Sequence, residues 1–487
     1  MEQRRVRLDL PRCAPEDVGV PSAALLAFVD ALDAHDETHS VVVARRGAVV
    51  AEGWWDPYGP ELPHDLYSLS KTFTSVAVGL ARAEGLLSFD DPVLSFFADE
   101  APAAPSEHLA AMRVHHLLTM RTGHHEDTSG HAFAAADVAR AFLELPVEHP
   151  PGSWFVYNTA ATYMLSAIVT RVTGQRLLDY LGPRLLEPLG ITGATWEQCP
   201  RGVDMGGFGL ALRTQDVAAL GVLLAQDGVV DGVRLLPEGW VAQATADGAP
   251  AGVARVVGDG PAEWQQGYGY QLWRCRHGAF RGDGAFGQFC VVVPEHDLVV
   301  ATTAGDLDMQ GVLDRVWDLL PHLAPGTLPV DGRAHDALVA RLTGLSHPAP
   351  SSDAGDGVPS LVDRDLVLER PVGPVQGLRI EVGADEDTLR VTTPHGVVAL
   401  RAGHARWVGQ TVTLPSVHDG SERDRRVLAS VDRPGPGEYR VTLRAVTTPF
   451  RWTATVRAAP DGTATLHACQ NVGYGTTTAE VALHPQG

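Results

Sequence analysis

The feature that most limits the possible folds is a change of sequence pattern near residue 360. Beyond it, short segments alternate apolar and polar residues with a period of two, which is typical of β-strands with one buried face. A polar stretch rich in proline, glycine and serine, residues 345–360, precedes them. We therefore predict a linker over residues 326–360 and an all-β domain over residues 361–487, either a barrel or a sandwich. The predicted strands cover residues 378–382, 388–392, 439–444, 452–457 and 463–467, with a turn at Asp461-Gly462.

The chain before the linker has strand patterns at both ends and helical periodicity between them. This arrangement predicts an α+β domain over residues 1–325, in which helices flank an antiparallel sheet and a helical insertion spans about residues 90–265. The individual predictions are a helix over 22–35, a hairpin over 40–55, strands over 267–273, 287–293 and 297–303, and a closing helix over 308–321.

Composition excludes several classes of partner. The formal net charge is −21, which argues against nucleic acid and against anionic membranes. The five cysteines are scattered without a CxxC pair, so neither a disulfide framework nor a zinc site is expected. The first residues lack the apolar run of a signal peptide, and no apolar stretch reaches the roughly 18 residues of a membrane span. We therefore expect a cytoplasmic protein, and its 487 residues predict two or more domains.

One residue type is almost absent from the chain. Lys71 is the only lysine among 487 residues, and arginine occupies the other strongly basic positions. Arginine keeps its proton inside proteins, whereas a lysine that is desolvated or close to another cation can lose it. The single retained lysine is therefore a candidate for a proton-accepting amine.

Ser68 lies three residues before Lys71, in a segment whose apolar residues recur at helical spacing. On a helix these two side chains share a face and contact each other. Ser68 would stand at the helix N-terminus, where free N–H groups favour developing negative charge, and Lys71 would take its hydroxyl proton. The alternative is a serine that only caps the helix, followed by a solvated lysine; the rarity of lysine favours the catalytic interpretation. Ser70 is the nearest competing nucleophile, but it points elsewhere on the helix.

Three motifs carry a resemblance to a known family: Ser68-x-x-Lys71, the segment 151–158 that contains Tyr157, and the late strand pair over 286–300. Over roughly residues 12–325 the chain resembles the serine β-lactamases and penicillin-binding proteins. It is most similar to the branch of class C β-lactamases, related carboxylesterases and 6-aminohexanoate-dimer hydrolases. The resemblance does not cover the C-terminal β domain. It implies a β-lactamase-like fold and an acyl-enzyme on Ser68 without a cofactor, with Lys71 and Tyr157 as proton-transfer groups.

The same resemblance implies further site residues. The third family motif maps to Gly282-Asp283-Gly284 and lacks the cation with which relatives hold a substrate carboxylate. Asp283 would repel a carboxylate, and Arg281 would point to the opposite face of the strand from Gly282. Weak β-lactam turnover is therefore expected. The backbone N–H groups of Ser68 and Ala285 are implied to form the oxyanion hole.

Either of the two residues that follow Tyr157 could have a polar role in substrate binding. In relatives an asparagine two residues after the tyrosine has a polar role, but here Thr159 holds that position and Asn158 lies beside it. The candidate substrate-binding residues are therefore Asn158, Thr159, Asp283 and Gly284.

A group of histidines and a group of aromatic residues each have two possible roles. For the histidines, helix-cap and surface roles are favoured over a metal site, and no metal is predicted. The aromatic residues either line the cleft or pack against the sheet. The histidines are His115, His116, His124 and His125, with Glu126 and Asp127 beside them, and the aromatic residues are Tyr268, Tyr270 and Trp273.

These observations predict a cytoplasmic serine hydrolase that acts on esters or small amides without a cofactor. An acyltransferase on the same scaffold would share the chemistry as far as the acyl-enzyme. A ligand-binding sensor that acylates without turnover, with the β domain as a partner module, is the alternative from another class. The sequence does not specify the natural substrate, the oligomeric state or the role of the β domain.

Overall fold

The structure is a computed structural model of the 487-residue chain. It describes residues 10–35, 37–246, 248, 262–352, 358–415, 422–459 and 463–486. The chain divides into two compact units. The first unit contains Met1–Gly53, Pro60–Ala304 and Asp308–Gly344, and the second contains Trp54–Gly59, Gly305–Leu307 and Leu345–Gly487.

The helices lie almost entirely in the first unit. They are α1 (Ser22–Asp33), α2 (Ser70–Ala83), α3 (Glu107–Ala111), α4 (Val114–Leu118), α5 (Ser129–Ala132), α6 (Val138–Glu144), α7 (Thr159–Thr173), α8 (Leu177–Leu181), α9 (Thr214–Ala225), α10 (Trp240–Ala244), α11 (Met309–Leu319) and α12 (Gly332–Thr343). Single turns of 3₁₀ helix occupy Pro15–Val18, Tyr67–Leu69, Val93–Phe96, Ala262–Gln265, Pro294–His296, Leu320–His322 and Pro359–Leu361, and a π turn occupies Gly182–Leu186.

A mixed set of strands completes the first unit. They are β1 (Thr38–Arg45), β2 (Ala48–Trp54), β3 (His64–Asp65), β4 (Thr195–Trp196), β5 (Leu210–Leu212), β6 (Val229–Val230), β7 (Val233–Arg234), β8 (Trp273–Arg274), β9 (Phe280–Gly284), β10 (Gln288–Val293) and β11 (Leu298–Ala304). Among the described residues the main sheet has the order β2-β1-β11-β10-β9-β8. In it β11 pairs antiparallel with β1 and β10, and β9 pairs antiparallel with β10 and β8.

The central strands of the main sheet are valine-rich and buried on both faces. Every residue of β1 and β11 is buried, as expected for a sheet covered on both sides. Helix α9 packs on β1, β10 and β11. Its Gly221 faces the sheet, where an added Cβ would lie 2.5 Å from Val299 Cγ1 and 3.0 Å from Cys290 Sγ. The absence of a side chain at this position therefore allows the helix to approach the sheet closely.

Local capping explains how α7 is positioned beside α2. Asn158 accepts hydrogen bonds from the N–H groups of Ala160 and Ala161, which begins the helix. The helix ends at Gly174, whose φ of +68° suits a left-handed C-cap. Helices α2 and α7 pack against each other, and between them they carry the Ser68–Lys71 segment and the residues that follow Tyr157.

One predicted strand is wrong. Residues 267–272 do not form a strand: Tyr268 makes one isolated bridge to Trp273, and only Trp273–Arg274 forms a strand, β8. Gln271 adopts a φ of +59°, which turns the backbone. Its buried side chain donates to the carbonyls of Leu117 and Leu118 and accepts from Thr162. These long-range bonds stabilise a loop where the alternation of aromatic residues suggested a strand.

Part of the predicted linker is helical. Residues 332–343 form α12, which packs on α1 and buries Leu338. Arg341 binds Asp30 at 2.7 Å and also contacts Asp33. Residues 353–357 of the linker and the predicted turn at Asp461-Gly462 lie outside the described residues. The domain boundaries given above therefore stay predictions.

The second unit contains an all-β barrel. In the described part of the chain, its strands form one ten-stranded sheet in the order β15-β14-β13-β12-β21-β20-β19-β18-β17-β16, and an extra parallel pairing between β15 and β17 closes it. Inside, the buried Asp387 accepts hydrogen bonds from the Tyr439 hydroxyl and the backbone of Gly383. The strands are β12 (Leu366–Val372), β13 (Val375–Glu381), β14 (Glu386–Thr393), β15 (Gly396–His404), β16 (Val408–Pro415), β17 (Glu422–Asp432), β18 (Glu438–Ala445), β19 (Arg451–Ala458), β20 (Ala464–Gln470) and β21 (Thr478–Pro485).

The predicted fold class is confirmed. The first unit has an antiparallel sheet flanked by helices with an inserted helical region, and the C-terminal region is all-β. Of the two architectures predicted for that region, the structure has the barrel. Among the helices that the structure describes, none combines the length and the hydropathy needed to cross a bilayer.

The contact at Gly221 gives a stability prediction. Gly221→Ala should destabilise the protein by about 1–3 kcal/mol through overpacking against Val299 and Cys290, although alanine normally favours a helix. The melting temperature measured by calorimetry should therefore fall. Gly332→Ala is the matched control, because nothing lies within 4 Å of a Cβ at that position in α12. Equal melting temperatures for the two variants would contradict the tight contact.

Candidate active site

The segment that carries Ser68 is a 3₁₀ turn that continues into α2. Within Tyr67–Lys71, Ser68 is the partly exposed residue and its neighbours are buried. Lys71 follows one turn later, and its Nζ donates a hydrogen bond to Ser68 Oγ at 2.8 Å. The structure thus places the two side chains in the contact that their spacing predicts, and Ser68 is partly exposed.

The amine of Lys71 is enclosed. The side chain is 1% exposed, and its second acceptor is the carbonyl of Gly207 at 2.8 Å. Burial disfavours the charged form and lowers the pKa of Lys71 to about 7, while the carboxylates of Asp127 and Asp283 partly oppose this effect. Near neutral pH a substantial fraction of the amine is therefore unprotonated and able to accept a proton.

Gly207 was missed by the sequence analysis. The residue follows Gly206 in a glycine-rich segment before β5. A Cβ at Gly207 would lie 2.6 Å from Thr159 Cγ2 and 3.0 Å from the Thr159 carbonyl oxygen. A residue with a side chain would therefore push this segment away from α7 and move the carbonyl that binds Lys71. The two consecutive glycines were the only signal in the sequence.

The ring of Tyr157 lies beside Lys71. Nζ is 4.9 Å from the ring centroid, a distance at which the aromatic face attracts an ammonium group. Trp273 stacks on Tyr157 with centroids 5.5 Å apart, and Tyr268 meets it edge-on at 5.9 Å. Both aromatic residues are buried and pack against the predicted proton-transfer group, and Trp273 is also part of the main sheet as β8.

Asn158 and Thr159 have different surroundings. Asn158 is fully buried, and its side-chain oxygen caps α7 and accepts a hydrogen bond from the Thr128 hydroxyl at 2.9 Å. Thr159 lies against Gly207 and so is next to the Lys71 acceptor. Both residues stay candidates for the polar role, and the Asn158 oxygen is already engaged in the cap and with Thr128.

The third motif lies on β9, next to the nucleophile segment. A side chain at Gly282 would overlap Leu69 and the hydroxyl of Thr72. Asp283 is buried, and its carboxylate forms an ion pair with Arg281 at 3.0 Å. Positions 281 and 283 share a strand face, so the sequence analysis correctly placed Arg281 opposite Gly282 but missed its pairing with Asp283. Asp283 is therefore not an isolated negative charge.

The end of β9 approaches the turn that carries Ser68. A Cβ at Gly284 would overlap the carbonyl oxygen of Leu66, so the two backbones are in close contact. The turn after β9 is fixed by Gln288, whose Nε2 donates to the carbonyls of Ala285 and Ala304 at 2.9 and 2.8 Å. This proximity is compatible with an oxyanion hole formed by the N–H groups of Ser68 and Ala285, which stays a prediction.

Two of the clustered histidines bond to groups close by in sequence. His116 Nδ1 accepts from the backbone of Arg113 at 3.1 Å, and His124 Nδ1 lies 2.8 Å from the Thr122 hydroxyl. Burial is the main cause that lowers the pKa of both His116 and His124 to about 4. Over the described ranges, no group of three or more His, Cys, Asp or Glu side chains is arranged to hold a metal ion.

The chain is similar in sequence to proteins of one known family. A sequence model of the beta-lactamase family matches residues 27–309. The chain belongs to the beta-lactamase family. Two relatives are named as a hydrolase and an esterase. The 6-aminohexanoate-dimer hydrolase of Paenarthrobacter ureafaciens is 25% identical over 293 residues, which cover 54% of this chain and 71% of the relative. Esterase EstB of Burkholderia gladioli is 26% identical over 208 residues, 36% of this chain and 53% of the esterase.

A solved structure matches almost the whole length of this beta-lactamase-family chain. The octameric penicillin-binding protein homologue from Pyrococcus abyssi superposes with a TM-score of 0.50 and 15% identity, over 95% of this chain and 98% of that one. At this identity the match concerns the fold alone. The predicted resemblance and the prediction of a β-lactamase-related hydrolase are confirmed by the family match and the named relatives.

The single lysine allows its pKa to be measured directly. With lysine labelled by ¹³C at Cε, the side chains of the chain give one resonance, and its titration midpoint should lie at pH about 7. The Asp127 carboxylate favours the charged amine and so raises the pKa of Lys71. Asp127→Asn removes this effect and should therefore move the midpoint to lower pH. A midpoint near the ordinary lysine value of about 10.4 would show that the amine is solvated.

Proposed function

We propose that this beta-lactamase-family chain is a serine hydrolase that cleaves esters or small amides through an acyl-enzyme on Ser68. The observation that carries the proposal is the 2.8 Å hydrogen bond between a partly exposed serine hydroxyl and a buried lysine amine. The named relatives, a 6-aminohexanoate-dimer hydrolase and an esterase, support this substrate class.

The arrangement supports a general-base role for Lys71. The unprotonated amine would take the Ser68 hydroxyl proton while Oγ attacks the substrate carbonyl. Nζ would then carry a positive charge, which the Gly207 carbonyl and the face of Tyr157 both favour. The hydroxyl of Tyr157, whose ring is next to the same amine, would give its proton to the leaving group and take the proton held by Lys71 in return. Water would release the acyl group by the reverse route.

Electrostatics near the site favour substrates without a carboxylate. The third motif offers no free cation, because Gly282 has no side chain and the guanidinium of Arg281 is buried against Asp283. The Asp127 carboxylate, which is outside that ion pair, acts on Lys71, so an anionic group next to the scissile bond would meet negative charge. A neutral acyl group is the better match, and β-lactams, which carry a carboxylate, the poorer one.

The nucleophile and the substrate class can be tested together. The wild-type protein should hydrolyse a neutral p-nitrophenyl ester much faster than a chromogenic cephalosporin. Ser68→Ala should abolish both ester turnover and covalent labelling by a fluorophosphonate, whereas Ser70→Ala should still be labelled on Ser68, since Ser70 is fully buried. Labelling that survives Ser68→Ala, or equal rates on the two substrates, would contradict the proposal. Added amine or alcohol in the ester assay distinguishes an acyltransferase by its product.

Replacement of Lys71 by arginine separates proton acceptance from positive charge. Arginine keeps the charge but stays protonated at any working pH, so Lys71→Arg should reduce turnover by about a hundred- to ten-thousand-fold, the usual contribution of a general base. Lys71→Ala should be similarly poor. Folding is checked by circular dichroism and activity by the fluorophosphonate labelling rate. An active Lys71→Arg variant would mean that the residue provides charge alone.

A further inference from the structure

The hydroxyl of Ser70 is buried and its hydrogen has a defined direction. Ser70 is 0% exposed, and its Oγ accepts a hydrogen bond from the Leu210 N–H at 3.2 Å. The same Oγ donates to the carbonyl oxygen of Tyr67 at 2.6 Å. Because the Leu210 N–H is only a donor, the hydroxyl hydrogen is left for the Tyr67 carbonyl.

The carbonyl that Ser70 binds belongs to the peptide group that carries the Ser68 N–H. A trans peptide group is planar, so its C=O and N–H point in opposite directions and rotate together. With the Tyr67 oxygen held towards the buried Ser70, the Ser68 N–H is directed to the other side of the turn. The Ser68 side chain is partly exposed, whereas the neighbouring Leu69 is buried.

The backbone conformation at Tyr67 persists only if neighbouring groups restrain it. Tyr67 has a φ of +50°, a conformation that is unfavourable for a bulky residue and persists only where surrounding contacts hold it. One such contact is the Ser70 hydroxyl. Another is Phe286, whose ring meets that of Tyr67 edge-on with centroids 5.4 Å apart. Phe286 also has a positive φ, of +72°, and directly follows Ala285.

We propose that Ser70 is a positioning residue for the oxyanion hole. It orients the Ser68 N–H through the Tyr67 peptide group, so that this N–H faces the oxygen of the substrate carbonyl when it becomes negatively charged. Ser70 itself exchanges no proton with the substrate. The inference rests on the proposed function, since it assumes acylation of Ser68.

A pair of matched substrates isolates the oxyanion hole. An ester and the corresponding thionoester, in which sulfur replaces the carbonyl oxygen, differ in the atom that the N–H groups bind. Sulfur is larger and a weaker hydrogen-bond acceptor, so N–H groups placed for oxygen favour the ester. The ratio of the two kcat/KM values measures this preference and does not depend on the fraction of protein that is folded and active.

Ser70→Ala should lower kcat/KM for the ester by about ten- to a hundredfold, somewhat less than the loss of a whole oxyanion donor. The rate with the thionoester should fall less, so the ratio should fall as well. Ser70→Thr, which keeps a hydroxyl, should restore most of the ratio. Ser166→Ala is the matched control. Ser166 is also 0% exposed, and its hydroxyl donates to a backbone carbonyl, that of Asp204, at 2.6 Å. The Asp204 carbonyl is not part of the peptide group that carries the Ser68 N–H. This control should leave the ratio unchanged.

An unchanged ratio in Ser70→Ala, whatever the loss of stability, would overturn the positioning role and leave Ser70 as a structural residue. Equal falls in Ser70→Ala and Ser166→Ala would overturn it too. Failure of the proposed function has a different signature. In that case the wild-type protein would not be labelled on Ser68 by the fluorophosphonate, irrespective of the behaviour of Ser70→Ala.

Discussion

The removal of one amine from water is the constraint on which the site depends. In solvent, Lys71 would be protonated at neutral pH and could not accept a proton. In the structure, burial lowers its pKa to about 7, and two acceptors, Ser68 Oγ and the Gly207 carbonyl, hold it in place. The close packing of α2, α7 and the segment before β5 therefore acts on the chemistry as well as on stability, because any loosening would admit water to the amine.

The parts of this arrangement that are local in sequence could be predicted. The contact between Ser68 and Lys71 follows from three residues of helical spacing, and the fold class follows from strand patterns at both ends of the first unit and period-two alternation in the second. The Gly207 carbonyl could not be predicted in the same way. It is 136 residues from Lys71 in sequence, and a backbone acceptor has no side chain to mark it.

Other differences have identifiable physical causes. The ion pair of Arg281 with Asp283 could have been predicted from the sequence, because residues two apart on a strand share a face. The loop at Gln271 could not have been predicted, since its turn depends on hydrogen bonds with Leu117, Leu118 and Thr162, which are distant in sequence. The helix at 332–343 was hidden by the Pro- and Gly-rich residues on both sides of it. Ser70 was considered only as a rival nucleophile, because its partners, Tyr67 and Leu210, become visible only in the fold.

The second unit, which contains the barrel, is built from more than the end of the chain. It includes Trp54–Gly59 and Gly305–Leu307 together with Leu345–Gly487, and Trp55 within it is fully buried. In vectorial synthesis on the ribosome, Trp55 emerges long before Leu345, whose carbonyl binds the N–H of the adjacent Asp56. The N–H of Asp56 therefore lacks its final hydrogen-bond partner while most of the protein is made. A single recombination event at the linker would therefore carry all ten barrel strands, which lie between Leu366 and Pro485, but it would leave Trp54–Gly59 and Gly305–Leu307 of the second unit behind.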